Sequence, residues 1–94
     1  MNALRLTWNT TYEDGTIIVE EAMPNVGDGR ACCYTATYVK YSGKVSCDFT
    51  AKTLAGDYVF ETLLHNKYVC KDEVRLLCFR HYNMNVSKLF GIIS

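Results

Sequence analysis

A chain of 94 residues with 49% hydrophobic side chains supports one packed core and falls short of the length at which a second domain has a core of its own. Ten basic and ten acidic side chains cancel, which excludes the bulk attraction to nucleic acid or anionic membrane that a basic domain has, while leaving room for a local basic patch. One proline and 13% aromatic residues argue against a disordered chain, so residues 1–94 are expected to form a single compact domain that folds alone or as a small homo-oligomer.

The opening residues MNALRLTWNT lack a basic stretch followed by an apolar run, and no segment approaches the roughly 18 apolar residues of a membrane span. The expectation is a soluble, cytoplasmic protein with no membrane partner. Five cysteines, an odd number without a disulfide framework, then read as reduced and mostly buried thiols. Asn9-Thr10-Thr11 and Asn85-Val86-Ser87 fit the glycosylation sequon, which has meaning only on secretion.

In chain order, TWNTTYEDGTIIVEE reads as a hairpin over about residues 3–23, turning on Asp14-Gly15 with positive φ. A two-residue turn there pairs Tyr12 with Ile17, Thr10 with Val19, Trp8 with Glu21 and Leu6 with Met23. That register puts Ile17 and Val19 on an apolar face and Ile18, Glu20 and Ala22 on a mostly polar one. The segment Pro24–Arg30, PNVGDGR, is the clearest loop. A second hairpin over about 31–50 turns on Ser42-Gly43, with Tyr38 opposite Cys47 and Ala36 opposite Phe49. Its core face carries Cys32, Tyr34, Ala36, Tyr38, Val45, Cys47 and Phe49.

From Thr50 the apolar residues Ala51, Leu54, Ala55, Tyr58, Val59 and Leu63 recur at three- and four-residue steps. They predict a helix over about 51–65 packed on one face of the sheet, against the helix-weakening presence of Gly56. The stretch CKDEVRLLCFRH, Cys70–His81, fits a strand over Val74–Tyr82, which is preferred for its β-branched and aromatic content. It also fits a helix with Asp72 and Glu73 at its start and Arg80, His81 and Asn83 at its end. In the strand reading Val74, Leu76 and Cys78 face the core. The tail NVSKLFGIIS docks as a last strand or turns onto the core. The fold class is α+β: two N-terminal hairpins in an antiparallel sheet, one helix, and a C-terminal strand or helix.

No constellation announces chemistry. Zinc sites present ligands in pairs two to four residues apart, and there is no Cys-x-x-Cys. Cys32 and Cys33 point to opposite faces of a strand. Cys78 and His81 share a face only on a helix, and Cys70 lies about 12 Å away along it. No metal ligand set, cofactor or catalytic residue is assigned. His65 and His81 read as polar element ends, the carboxylates as solvated charge, and the glycines of NVGDGR as turn residues, since they match neither a phosphate loop nor a calcium loop. A non-enzymatic protein is the expectation.

What remains is a domain that acts by its surface: a protein–protein binding module, as an inhibitor or adaptor docking on a larger macromolecular machine. In size and style, being small, stand-alone and free of motifs, the chain resembles phage- or virus-encoded antagonists of host defence, anti-CRISPR proteins among them. The likeness covers no specific motif and implies only the mode of action. The candidate binding residues are Asp28 and Arg30 of the loop and Lys40, Tyr41 and Lys44 of the second hairpin tip, taken to share one end of the sheet, because loops on a rigid sheet carry contacts in which Tyr and Arg are favoured. The alternative is a single-stranded nucleic-acid binder with a loose likeness to an oligonucleotide-binding barrel, using Tyr34, Tyr38 and Tyr41 near Arg30, Lys40 and Lys44. A Cys/His metal-binding protein ranks third.

Overall fold

Five strands pair in the order in which the chain makes them: β1 (Leu6–Glu13), β2 (Ile17–Pro24), β3 (Cys32–Val39), β4 (Lys44–Lys52) and β5 (Tyr58–Tyr68). All neighbours are antiparallel, and one helix, α1 (Lys71–Phe90), follows. The computed structural model describes residues 6–24, 32–52 and 56–90. The domain is α+β, as its hairpins imply. Its meander order is not the Greek-key order of an oligonucleotide-binding barrel, so that likeness does not hold.

Strict alternation in β3 and β4 decides where the core sits. Cys32, Tyr34, Ala36, Val45, Cys47, Phe49 and Ala51 point to one face and are buried there. Onto them α1 lays Val74, Cys78 and Tyr82, four residues apart and therefore on one stripe. The second hairpin thus has the faces its sequence implies. Its pairs are Tyr38 with Val45, Ala36 with Cys47 and Tyr34 with Phe49, two residues from the expected register. The turn is longer: the Gly43 N–H donates to Val39 O at 2.9 Å, with Gly43 at φ 75°. A shift of two keeps every side chain on its face.

The first hairpin departs more. Asp14 Oδ1 accepts the N–H groups of Thr16 (2.7 Å) and Ile17 (2.9 Å), and the Asp14 N–H donates to Ile17 O. This Asx-type turn replaces the two-residue turn, and Gly15 does not take positive φ. With a bulge between Thr10 and Tyr12, the pairs become Thr10 with Glu20 and Trp8 with Ala22. The one-residue change turns β2 over. Glu20 and Ala22 are buried, and Ile17 and Val19 lie on the opposite face.

The expected helix over 51–65 is not formed. β4 runs on through Thr50, Ala51 and Lys52, which pair with Phe60, Val59 and Tyr58 of β5. Gly56, at φ 91°, lies in the reversal between the strands. β5 carries two irregularities in its pairing with β4, one on each side of Leu64, which break its period two there. The Cys70–His81 stretch is helical rather than extended. Its first turn holds Asp72 and Glu73, and Val74 N–H donates to Cys70 O at 3.1 Å. Leu76, read as core-facing in a strand, is 47% exposed. The helix passes through Asn83 and Asn85, whose side-chain amides donate to Phe79 O and His81 O four residues back, so neither ends it.

Candidate functional site

α1 covers one face of the sheet and leaves the other open. Across that face run the cross-strand row Asn9–Glu21–Thr35–Asp48–Thr62 and the shorter runs Thr7–Met23 and Cys33–Thr50–Phe60. Threonines fill its middle. Toward β5 it is aromatic: Tyr58 is 81% exposed, Phe60 68% and Tyr68 74%. Tyr12 and Met23 stand out of it on the β1–β2 side, each more than half exposed. Lys44 Nζ lies 5.2 Å from the Tyr68 ring centroid and Lys52 Nζ 5.7 Å from that of Tyr58. Glu21 and Asp48 balance these two lysines, so the face has no dominant sign.

The sequence-selected residues are distributed unevenly around it. The two turns at one end of the sheet are tied together by Lys40, whose N–H donates to Thr16 O at 2.8 Å and whose Nζ pairs with Glu13 at 3.0 Å. Beside it Tyr41 is 85% exposed, the most open aromatic among the described residues. Lys44 belongs to the open face through Tyr68. Asp28 and Arg30 lie outside the described residues. The strand ends flanking them, Pro24 and Cys32, sit at the opposite end of the meander from Tyr41, so the expected grouping of loop and tip at one end is not met by the strands. Tyr58 and Phe60 were missed because their segment reads as a helix over about 51–65, and Tyr68 lies just beyond it. Read as a strand, that segment alternates Tyr58, Phe60 and Thr62 on one side.

Under α1 several polar groups are tied to one another. A carboxylate can only accept, so His81 Nε2 donates to Glu61 Oε1 (3.0 Å), and when the ring carries that one proton its Nδ1 accepts from the Tyr34 hydroxyl at 2.6 Å. Both ring nitrogens are thereby occupied, and burial pushes the Tyr34 hydroxyl pKa upward. The buried Glu20 carboxylate meets Lys71 Nζ at 3.2 Å and Arg75 at 3.4 Å, with the Arg75 guanidinium over the Trp8 ring. Cys47 and Cys78 have their sulfurs 3.4 Å apart, and the Cys78 thiol is raised by its bond to Cys47 and by burial. Burial pushes Cys32 up to about 12. Cys32 and Cys78 are thereby held in the neutral, unreactive form, while the hydrogen bond from Cys78 lowers the Cys47 thiol.

Among the described residues no three His, Cys, Asp or Glu side chains converge to hold a metal ion, and no helix is long and apolar enough to cross a membrane. No family model, curated protein or solved structure matches the chain.

Proposed function

We propose that the chain is a non-enzymatic binding module that docks on a protein partner through the open face of its sheet, as an inhibitor or adaptor of a larger assembly. One observation carries this reading: Tyr12, Met23, Tyr58, Phe60 and Tyr68 stand more than half exposed on a single rigid face that the helix does not cover. Aromatic residues and methionine are enriched in protein interfaces, and a face mixing them with threonine and balanced charge fits a protein surface better than a polyanion. The Tyr41 tip extends the contact at one end. Thr37→Glu sets a charge in the middle of the open face, between Val19 and Ser46, without entering the core. A protein retained by the native chain from host lysate, re-measured as a purified pair, is expected to be lost with this variant and weakened by Tyr41→Ala. Equal binding by folded Thr37→Glu removes the reading.

A second reading rests on the two lysine–tyrosine pairs. Lys44 with Tyr68 and Lys52 with Tyr58 offer stacking rings with a cation beside each, the chemistry of a single-stranded nucleic-acid platform. Oligonucleotide affinity that falls steeply with added salt supports it, and no binding at low salt removes it.

A further inference from the structure

Among the described residues β5 is the last strand of the sheet and pairs only with β4, so its outer edge offers backbone donors and acceptors unpaired by any of them over an 11-residue strand. Long free edges invite another strand. The residues of this one are symmetric in chemistry about Leu64. Phe60 and Tyr68 stand at equal distances from it, and so do Glu61 and Lys67, and Thr62 and Asn66. We propose that β5 pairs antiparallel with β5 of a second copy about a two-fold axis at Leu64, joining two five-stranded sheets into one continuous sheet.

In that register Phe60 faces Tyr68 of the second copy and Glu61 faces its Lys67, and each pair occurs twice. Aromatic and opposite-charge cross-strand pairs are the stabilising ones. The register also has to keep side chains on matching faces. Phe60 and Tyr68 pair with Thr50 and Lys44 and lie on the open face, while Glu61 and Lys67 pair with Phe49 and Val45 on the helix side. The two irregularities of β5 preserve this match because each adds one residue, though only the C-terminal one contains a positive-φ residue, Asn66 at 56°. Glu61 to Leu64 spans Phe49 to Cys47, and Leu64 to Lys67 spans Cys47 to Val45: one extra residue on each side. Moving the axis to Leu63 sets Phe60 against Asn66, and moving it to His65 sets Tyr68 against Thr62. Neither joins Glu61 to Lys67.

Room exists for these contacts, since Phe60 and Tyr68 are mostly exposed and the Glu61 side chain is 54% exposed even with His81 on it. The opposite edge, β1, has one charged residue, Glu13, and no cation to set against it. Closed association through β5 alone gives a dimer, not a fibre. A two-fold axis through an antiparallel pair stands perpendicular to the sheet. Both helices therefore lie on one side and both open faces on the other, forming a two-fold surface twice the width of one.

Sedimentation of the full chain tests this, with the wild type expected to have the mass of a dimer. Lys67→Glu places glutamate against Glu61, and Glu61→Lys places lysine against Lys67. Each converts two attractive pairs into two repulsive ones and is expected to weaken the dimer about tenfold or more. Mixed together, the two variants regain both opposite-charge pairs and are expected to form a heterodimer. A wild type that stays monomeric at NMR concentrations overturns the proposal, as do folded variants that dimerise like the wild type or fail to associate when mixed. One arm needs no substitution. Phe60 and Tyr68 of one chain lie roughly 20 Å or more apart along their strand, so a contact between them in isotope-filtered NMR of labelled with unlabelled copies is intermolecular. Its absence in a dimer overturns the register.

Discussion

Tyr34→Phe and Tyr38→Phe remove the same hydroxyl from neighbouring positions on the core face of β3, and the structure assigns them different consequences. Tyr34 is fully buried, its ring 4.8 Å from Phe49 and edge-on to His81 at 5.5 Å, contacts that phenylalanine keeps. What disappears is the 2.6 Å hydrogen bond to His81 Nδ1. The stranded nitrogen belongs to a side chain only 13% exposed, so water replaces the bond poorly. The cost lies between the net value of a neutral hydrogen bond, about 1 kcal/mol, and the full penalty of an unsatisfied acceptor, about 3 kcal/mol; about 1.5–2 kcal/mol is expected. For a domain of this size that is a fall in Tm of about 6–15 °C. The Tyr38 hydroxyl is buried without a hydrogen-bond partner among the described residues. Its removal is expected to cost nothing, or to stabilise by up to about 1 kcal/mol. Urea unfolding followed by circular dichroism, with unchanged m-values, measures both. A Tyr34→Phe protein as stable as the wild type, or a Tyr38→Phe protein that loses as much, refutes the reasoning.

Val74→Ala empties part of the fully buried stripe under α1 and is expected to cost about 2 kcal/mol, while Leu76→Ala, half exposed, stays within about 0.5 kcal/mol; equal losses in urea melts indicate a strand-like face instead. Gly43→Ala forces an L-residue to φ 75° and is expected to destabilise by about 1 kcal/mol, whereas Gly15→Ala, with open space around it and no positive φ, is neutral or stabilising by about 0.5 kcal/mol. Asp14 is held at a pKa of about 2 by the hydrogen bonds it accepts from the Ile17 N–H, the Tyr12 hydroxyl and the Thr16 N–H. Its folded pKa lies below the unfolded one, so its contribution is complete above about pH 4 and is lost as the pH falls toward 2. An NMR titration of the Asp14 carboxyl reads the midpoint, and Asp14→Asn removes that part of the acid dependence.

The sequence was legible where alternation is unbroken and where errors come in twos. From Cys32 to Phe49 every core-facing residue of β3 and β4 is readable, with Ala51 alone given to the expected helix, and a turn longer than expected moved the partners by two without changing a face. In the first hairpin the same reasoning met an odd shift. The Asp14 carboxylate captures the N–H groups of Thr16 and Ile17, a side-chain choice that no hydrophobic pattern reports, and β2 turned over with Glu20 inside. For Cys70–His81 both periods fit. The deciding fact is tertiary: Val74, Cys78 and Tyr82 have a sheet of matching width to cover, while Leu76 does not. The open-face site was half visible. Tyr41 and Lys44 were chosen for their turn, Tyr58 and Phe60 were hidden in a segment whose spacing across the β4–β5 reversal reads as a helix, and Tyr68 lay just beyond it.

The bulges of β5 also bear on what its free edge accepts. Bulges ordinarily blunt an edge, because a regular strand laid against them loses register after one residue too many. Past Leu64 in either direction, a foreign strand of even pitch would set its side chains on the wrong face of this sheet. In the proposed pairing a second β5 also carries one extra residue on each side of the axis, so the register resumes with Glu61 against Lys67 and Phe60 against Tyr68. In the proposed dimer the bulges therefore work as a selectivity device: the edge rejects even-pitched strands and admits its own copy, and the open face is what remains for the proposed protein partner.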